Sequence, residues 1–156
     1  MHGMAGHAGL SKDFFHEKLQ EIIDTIGTKR LDLDTALLQQ YCSYTGYDYQ
    51  LYQARDLVPI GFLMTFTSSV FSEMFLSLFA ACSALIKGII HTSSKVELFA
   101  PFSLSCKEYQ TRLEIKKIED KVGRKGEYLV IDLEVVVLDV HGVKVASDVH
   151  QFFLRI

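Results

Sequence analysis

A chain of 156 residues, 49% apolar, 12% aromatic and 22% charged, is long enough to build one domain that hides roughly 68 to 70% of its unfolded surface. This composition excludes the disordered, collagen-like and disulfide-scaffold classes. A formal charge of −3 gives no general attraction to phosphate, and the basic residues lack interleaved aromatics, so no nucleic-acid partner is expected. Cys42, Cys82 and Cys106 are odd in number and outside any CxxC spacing, which argues against a disulfide framework or zinc site and for thiols kept reduced in the cytoplasm.

Residues 1–10, rich in Gly, His and Ala, lack the basic stretch and apolar run of a signal peptide and read as a flexible tail, leaving 11–156 as a single domain. Phe14, Phe15, Leu19, Ile22, Ile23 and Ile26 recur at steps of three and four, which predicts an amphipathic helix capped by Ser11 and stopped by Gly27. Lys29 to Leu33 reads as a short extended piece. Asp34 then caps a second helix through Ala36, Leu37, Gln40 and Tyr41 to Gly46, and Tyr44 to Arg55 follows as a tyrosine-dense loop.

Pro59 suits the first turn of a long helix from Gly61 to Lys87, ended by Gly88. Leu63, Val70, Met74, Leu78, Ala81 and Leu85 occupy one flank, with Phe62, Phe66 and Phe79 on others, and a helix apolar all round belongs inside a protein. Small residues at 80–84 would admit a sheet close to its axis. Gly61 to Ile90 is also long enough to be mistaken for a membrane span, but Glu73 would sit near the bilayer centre at a cost of about 2.5 to 3.5 kcal/mol. A buried core helix is the expectation.

After Gly88 the pattern turns to strand. His91 to Phe99, Tyr109 to Ile118 and Glu127 to Leu138 form three strands, and a fourth follows the tight His141-Gly142 turn. Leu129, Ile131, Leu133, Val135 and Val137 share one parity while Asp132 and Glu134 interrupt the other, so one face is core and the other partly wet. Gly123 to Gly126 turns the preceding hairpin. The reading is an α+β fold, in which a four-stranded antiparallel meander wraps a long central apolar helix.

Three stretches in this order, Leu38 to Gly46, Val58 to Leu63, and His91 to Pro101 with the strands beyond, resemble the MaoC-like acyl dehydratase and hydratase family from about Leu31 to Ile156. The resemblance implies a hot-dog fold that binds fatty-acyl thioesters on coenzyme A or acyl carrier protein. It implies no further cofactor and no metal. It also implies a homodimer, or a heterodimer with a catalytic hot-dog subunit, with neither nucleic acid nor membrane as partner. In catalytic members the Thr-Gly turn continues Asp-x-Asn-Pro-x-His; here it reads Gly46-Tyr47-Asp48-Tyr49-Gln50-Leu51-Tyr52. Tyr47 and Tyr52 therefore stand where the acid and base would be, and Asp48 is out of register by one residue.

The resemblance assigns substrate binding to Gly61, whose backbone N–H at the start of the central helix would polarise the thioester carbonyl. Ile60, Phe62, Tyr47 and Tyr52 lie around it, and the chain resembles the non-catalytic half of paired dehydratases. Glu73 on the central helix is the candidate acid of an alternative, an acyl-CoA thioesterase; a solvated or interface acid is the plainer account. His91 is a second candidate, otherwise a lone histidine in ordinary hydrogen bonds. The tyrosines at 41, 44, 47, 49 and 52 either line a pantetheine channel or pack the loop on the helix. Lys116, Lys117, Lys121, Arg124 and Lys125 form a basic cluster, either a phosphate contact or a solvated hairpin end. A ligand-free structural dimer is the third possibility.

Overall fold

The structure, a computed structural model, describes residues 8–106 and 108–156. Nine elements follow one another: α1 (Ala8–Ile26), β1 (Lys29–Asp32), α2 (Thr35–Thr45), α3 (Tyr49–Ala54), α4 (Ile60–Cys82), β2 (Gly88–Leu98), β3 (Glu108–Gly123), β4 (Gly126–Leu138) and β5 (Lys144–Arg155). The helix α1 begins at Ala8, inside the segment expected as tail and ahead of the expected cap at Ser11; the tail residues 1–7 lie outside the described residues. Only Gly9 opposes helix over that extension, at a cost of roughly 1 kcal/mol.

All strand pairs are antiparallel, in the order β1-β3-β4-β5-β2. The expected four-strand meander is thus corrected: β3, β4 and β5 form one, but β2 lies beyond β5, and a fifth strand, β1, lies beyond β3. The physical reason is the connection from Leu98 to Glu108. It contains Pro101 and is too long for a tight hairpin, so it crosses the end of the sheet. There Phe102 is buried beneath Tyr109, Val58 N donates to Phe102 O at 2.7 Å, and the Asp56 carboxylate accepts from Ser105 N at 2.7 Å.

The inner face of the sheet carries Leu129, Ile131, Leu133, Val135 and Val137 from β4, all buried. α4 lies across this face on a stripe at steps of three and four: Phe62, Leu63, Thr67, Val70, Phe71, Met74, Leu78 and Cys82. Phe15, Leu19 and Ile23 of α1 close the core at its C-terminal half, and Leu31, Leu38 and Phe102 close it at its N-terminal half. α4 is long and apolar enough to cross a membrane, but its stripe from Phe62 to Cys82 is committed to this core.

The expectation that α4 is enclosed on every side is corrected, since Thr65, Ser68, Ser69, Ser72 and Leu76 are exposed. One sheet and one neighbouring helix cannot cover a whole cylinder. The helix also ends at Cys82 instead of Lys87, and the small residues Ala80, Ala81, Ser83 and Ala84 face outward instead of against the sheet. Lys87 N already donates to Arg155 O at 2.8 Å, so strand pairing with β5 overrides the helical pattern before Gly88.

Candidate functional site

The start of α4 is built by three short-range devices. The Asp34 carboxylate accepts the amides of Ala36 and Leu37 to start α2, and Gly46, at φ 77°, ends it in the left-handed conformation that glycine adopts without strain. Asp48 then repeats the device, accepting from Gln50 and Leu51 to start α3. The expected loop therefore contains a helix, and Asp48 is its cap; a carboxylate spent on two backbone amides is poorly placed to act as the reacting acid. Pro59 caps α4 without any side-chain bond, which leaves the first amides, at Ile60 and Gly61, with no acceptor among the described residues.

Tyrosines cover this helix start. Tyr41 stacks on Tyr47 at 6.2 Å and leans on Phe62 at 5.3 Å, and Tyr47 meets the edge of Tyr52 at 5.7 Å. A Cβ on Gly61 would overlap the Tyr41 hydroxyl, so glycine is what allows the ring in. Burial pushes the Tyr41 phenol above its usual range, keeping it neutral. Phe62 is fully buried and is a core residue, which removes it from the expected substrate contacts; Ile60 is exposed.

Glu73 projects from the other flank of α4, toward α1 and β1. It is half-exposed and paired with Lys29, beside a shallow groove of about 210 Å³ lined by Glu21, Ile22, Thr25, Ile26 and Ser77. That ion pair occupies one of the two carboxylate oxygens.

The arrangement with most chemistry in it lies between α4, β5 and β2. Asp148, His150 and Phe152 alternate along β5 onto the inner face. The Asp148 side chain is completely buried, and its Oδ1 lies 2.8 Å from His150 Nε2 but outside hydrogen-bonding geometry, so both atoms are buried in close approach without a hydrogen-bond partner among the described residues. Its other oxygen accepts from the Thr67 hydroxyl of α4. With Nε2 facing the carboxylate, Nδ1 is the ring nitrogen left for a reactant. The His150 ring packs 4.3 Å from Phe71 and stacks in parallel with His91 at 4.8 Å and 17°.

His91 is exposed on β2, the edge strand. A register shift between His91 and Ser93 marks a bulge there, the kind of irregularity that re-aims a side chain. His91 Nε2 donates to Ser93 O at 2.9 Å, again leaving Nδ1 free. The expectation of a lone histidine without an acid nearby is corrected: His91 covers a second imidazole that has a buried carboxylate.

The basic cluster divides. Lys116 pairs with Glu134, and Lys117 and Lys121 pair with Glu119, whereas Arg124 and Lys125 border a separate groove on the outer face.

No protein-family model matches the chain, and no curated protein matches it in sequence. Solved structures do match in shape. The ChsH1–ChsH2 complex from Mycobacterium tuberculosis aligns at a TM-score of 0.60 and 13% identity, over 90% of this chain and 92% of that one. The HadBC (3R-hydroxyacyl-ACP dehydratase) complex from the same organism aligns at 0.57 and 11%, over 80% and 90%. The YbaW probable thioesterase from Escherichia coli aligns at 0.52 and 13%, over 81% and 80%. The chain has the hot-dog fold.

Within this hot-dog domain, Gly61 and Phe71 are about 15 Å apart along α4 at 1.5 Å per residue. The tyrosine-covered helix start and the Asp148–His150 pair are therefore two places on one chain. Sequence reasoning missed the second. Its signal was Asp148-Val149-His150 in the last strand, two polar residues on the parity that is otherwise apolar, as in Ala146, Phe152 and Leu154.

Proposed function

We propose that this hot-dog protein binds fatty-acyl thioesters carried on coenzyme A or acyl carrier protein, in the manner of the MaoC-like dehydratases it resembles, and acts on them through Asp148 and His150. The observation that carries the reading is the buried carboxylate behind an imidazole that opens to the edge of the sheet through His91. In hydration of a 2-enoyl thioester, His150 Nδ1 takes a proton from water as the hydroxide oxygen bonds to C3; the imidazolium, stabilised by Asp148, returns a proton to C2. The net change is addition of one water, and dehydration is the reverse. Thr67 holds the carboxylate and needs no part in proton transfer. Neither metal nor redox cofactor is required by this chemistry.

A second hot-dog chain, identical or different, is proposed to pair along β2. That edge is unpaired in one chain and carries His91, and unpaired edges are usually covered. Two of the matching structures are complexes of differently named components, which supports either composition. A reducing cytoplasmic setting suits the buried free thiols of Cys42 and Cys82.

The test is crotonyl-CoA hydration by the purified chain. His150→Gln and Asp148→Asn should each lower turnover about 10²-fold or more, with Glu73→Ala unchanged. Full activity in His150→Gln would overturn the catalytic assignment; thiol release lost in Glu73→Ala would replace it with the thioesterase reading. Failure of the wild-type chain to bind any acyl-CoA would leave the ligand-free dimer.

A further inference from the structure

We infer that the groove at the Gly88 end of the sheet, on the outer face away from α4, is a binding site for a phosphate-bearing aromatic ligand of the nucleotide class. The groove has a volume of about 410 Å³, within the range of roughly 300 to 1,000 Å³ typical of small-molecule sites. Its floor is made where three strands end together: Tyr128 of β4 pairs with Arg155 of β5, and Ile90 of β2 pairs with Phe153 of β5. Strand alternation puts these side chains on one face, opposite His150 and Phe152. Tyr128 and Phe153 lie ring to ring at 5.1 Å and a tilt of 38°, both half-buried, and Ile90 is 64% exposed beside them, so the floor is apolar, aromatic and partly open.

The rim is cationic. Lys87, Arg124, Lys125 and Arg155 border the groove against a single acid, Glu127. Elsewhere on the sheet Lys95, Lys116, Lys117, Lys121 and Lys144 each face a carboxylate; among the described residues Arg124, Lys125 and Arg155 of the rim do not. Lys87 Nζ is held at the rim by a main-chain oxygen of Ile156 at 3.1 Å. The turn that brings Arg124 and Lys125 over the floor depends on glycine at both ends: Gly126 takes φ 113°, and a Cβ on Gly123 would lie 3.1 Å from the Tyr128 ring. A base stacked on Tyr128 and Phe153 would place its phosphates among the cations, where multiple charge-assisted bonds form.

Such a ligand is either a free nucleotide or the nucleotide portion of coenzyme A. Calorimetry with ADP, adenosine, inorganic pyrophosphate and coenzyme A tests the site independently of turnover. ADP should bind at least tenfold more tightly than adenosine or pyrophosphate. Arg124→Gln with Lys125→Gln, at exposed turn positions, should weaken ADP at least tenfold without changing the thermal midpoint, and Tyr128→Ala should weaken it also. If coenzyme A is the source, it binds more tightly than ADP, competes with it, and the turn variant raises KM for crotonyl-CoA; if a free nucleotide is the source, coenzyme A gains nothing over ADP and KM is unmoved. No binding of ADP at millimolar concentration, binding indifferent to both variants, or binding of an acidic carrier protein without ADP would overturn the inference.

Discussion

Glu134 is the clearest case of one residue whose surroundings decide its behaviour. It sits on the outer face of the sheet with its side chain 4% exposed, and burial alone would raise its pKa. Bonds from Lys144 at 2.7 Å, from Ser147 and from Lys116 at 3.0 Å reverse that, and the carboxyl is lowered to about 2. Above the ordinary glutamate range the group is ionised whether folded or not, and its full contribution to stability is present. As pH falls through about 4.5 the unfolded chain takes up a proton first, so stability is lost progressively down to about pH 2. The shift corresponds to about 3 kcal/mol, reduced to roughly 2 because both lysines are substantially exposed. Chemical denaturation of Glu134→Gln should show lower stability at neutral pH and a flatter decline between about pH 4.5 and 2. At Gly61 the constraint is steric. Gly61→Ala should destabilise by about 1 kcal/mol as the stacked Tyr41 ring is displaced, and adding Tyr41→Phe, which removes the clashing oxygen, should restore most of the thermal midpoint.

Among the elements, α2 and α3 were decided locally: Asp34 and Asp48 each bond the amides that follow, so the capping rule reads both. At Asp48 the cap is harder to read, because the tyrosines around it have neither strong helical periodicity nor a buried stripe; no residue of α3 is buried. α4 shows the opposite balance. Its apolar character was plain, but its end was decided by where Lys87 meets Arg155, a contact across the chain that no local propensity contains. The strands were legible by parity, as in β4, while β2 changed neighbours because the residues before β3 are too many for a hairpin.

At the scale of the whole molecule, one side of α4 and the β2 edge are left open together. Leu76 is 72% exposed on that helix, next to Phe75, which meets Phe152 edge-on and leans on Phe79. If a second hot-dog chain covers this region, light scattering will report two chains per particle, and Leu76→Glu will shift the mass toward one chain with the circular dichroism unchanged. A single-chain mass for the unmodified protein across micromolar concentrations would count against pairing of identical chains and leave pairing with a different one.

The order of residues alone determined the α+β class, the central apolar helix, the capped second helix and the alternation along β4, because each depends on neighbours a few positions away. Tertiary structure decided which strand lies beside which, which face of α4 is covered, and that Thr67, His91, Asp148 and His150 meet. Those four residues span 83 positions of separation from first to last, and only pairing of β2 with β5 beneath α4 brings them within bonding and stacking distance; a contact closed through the sheet has no periodicity by which a sequence can announce it.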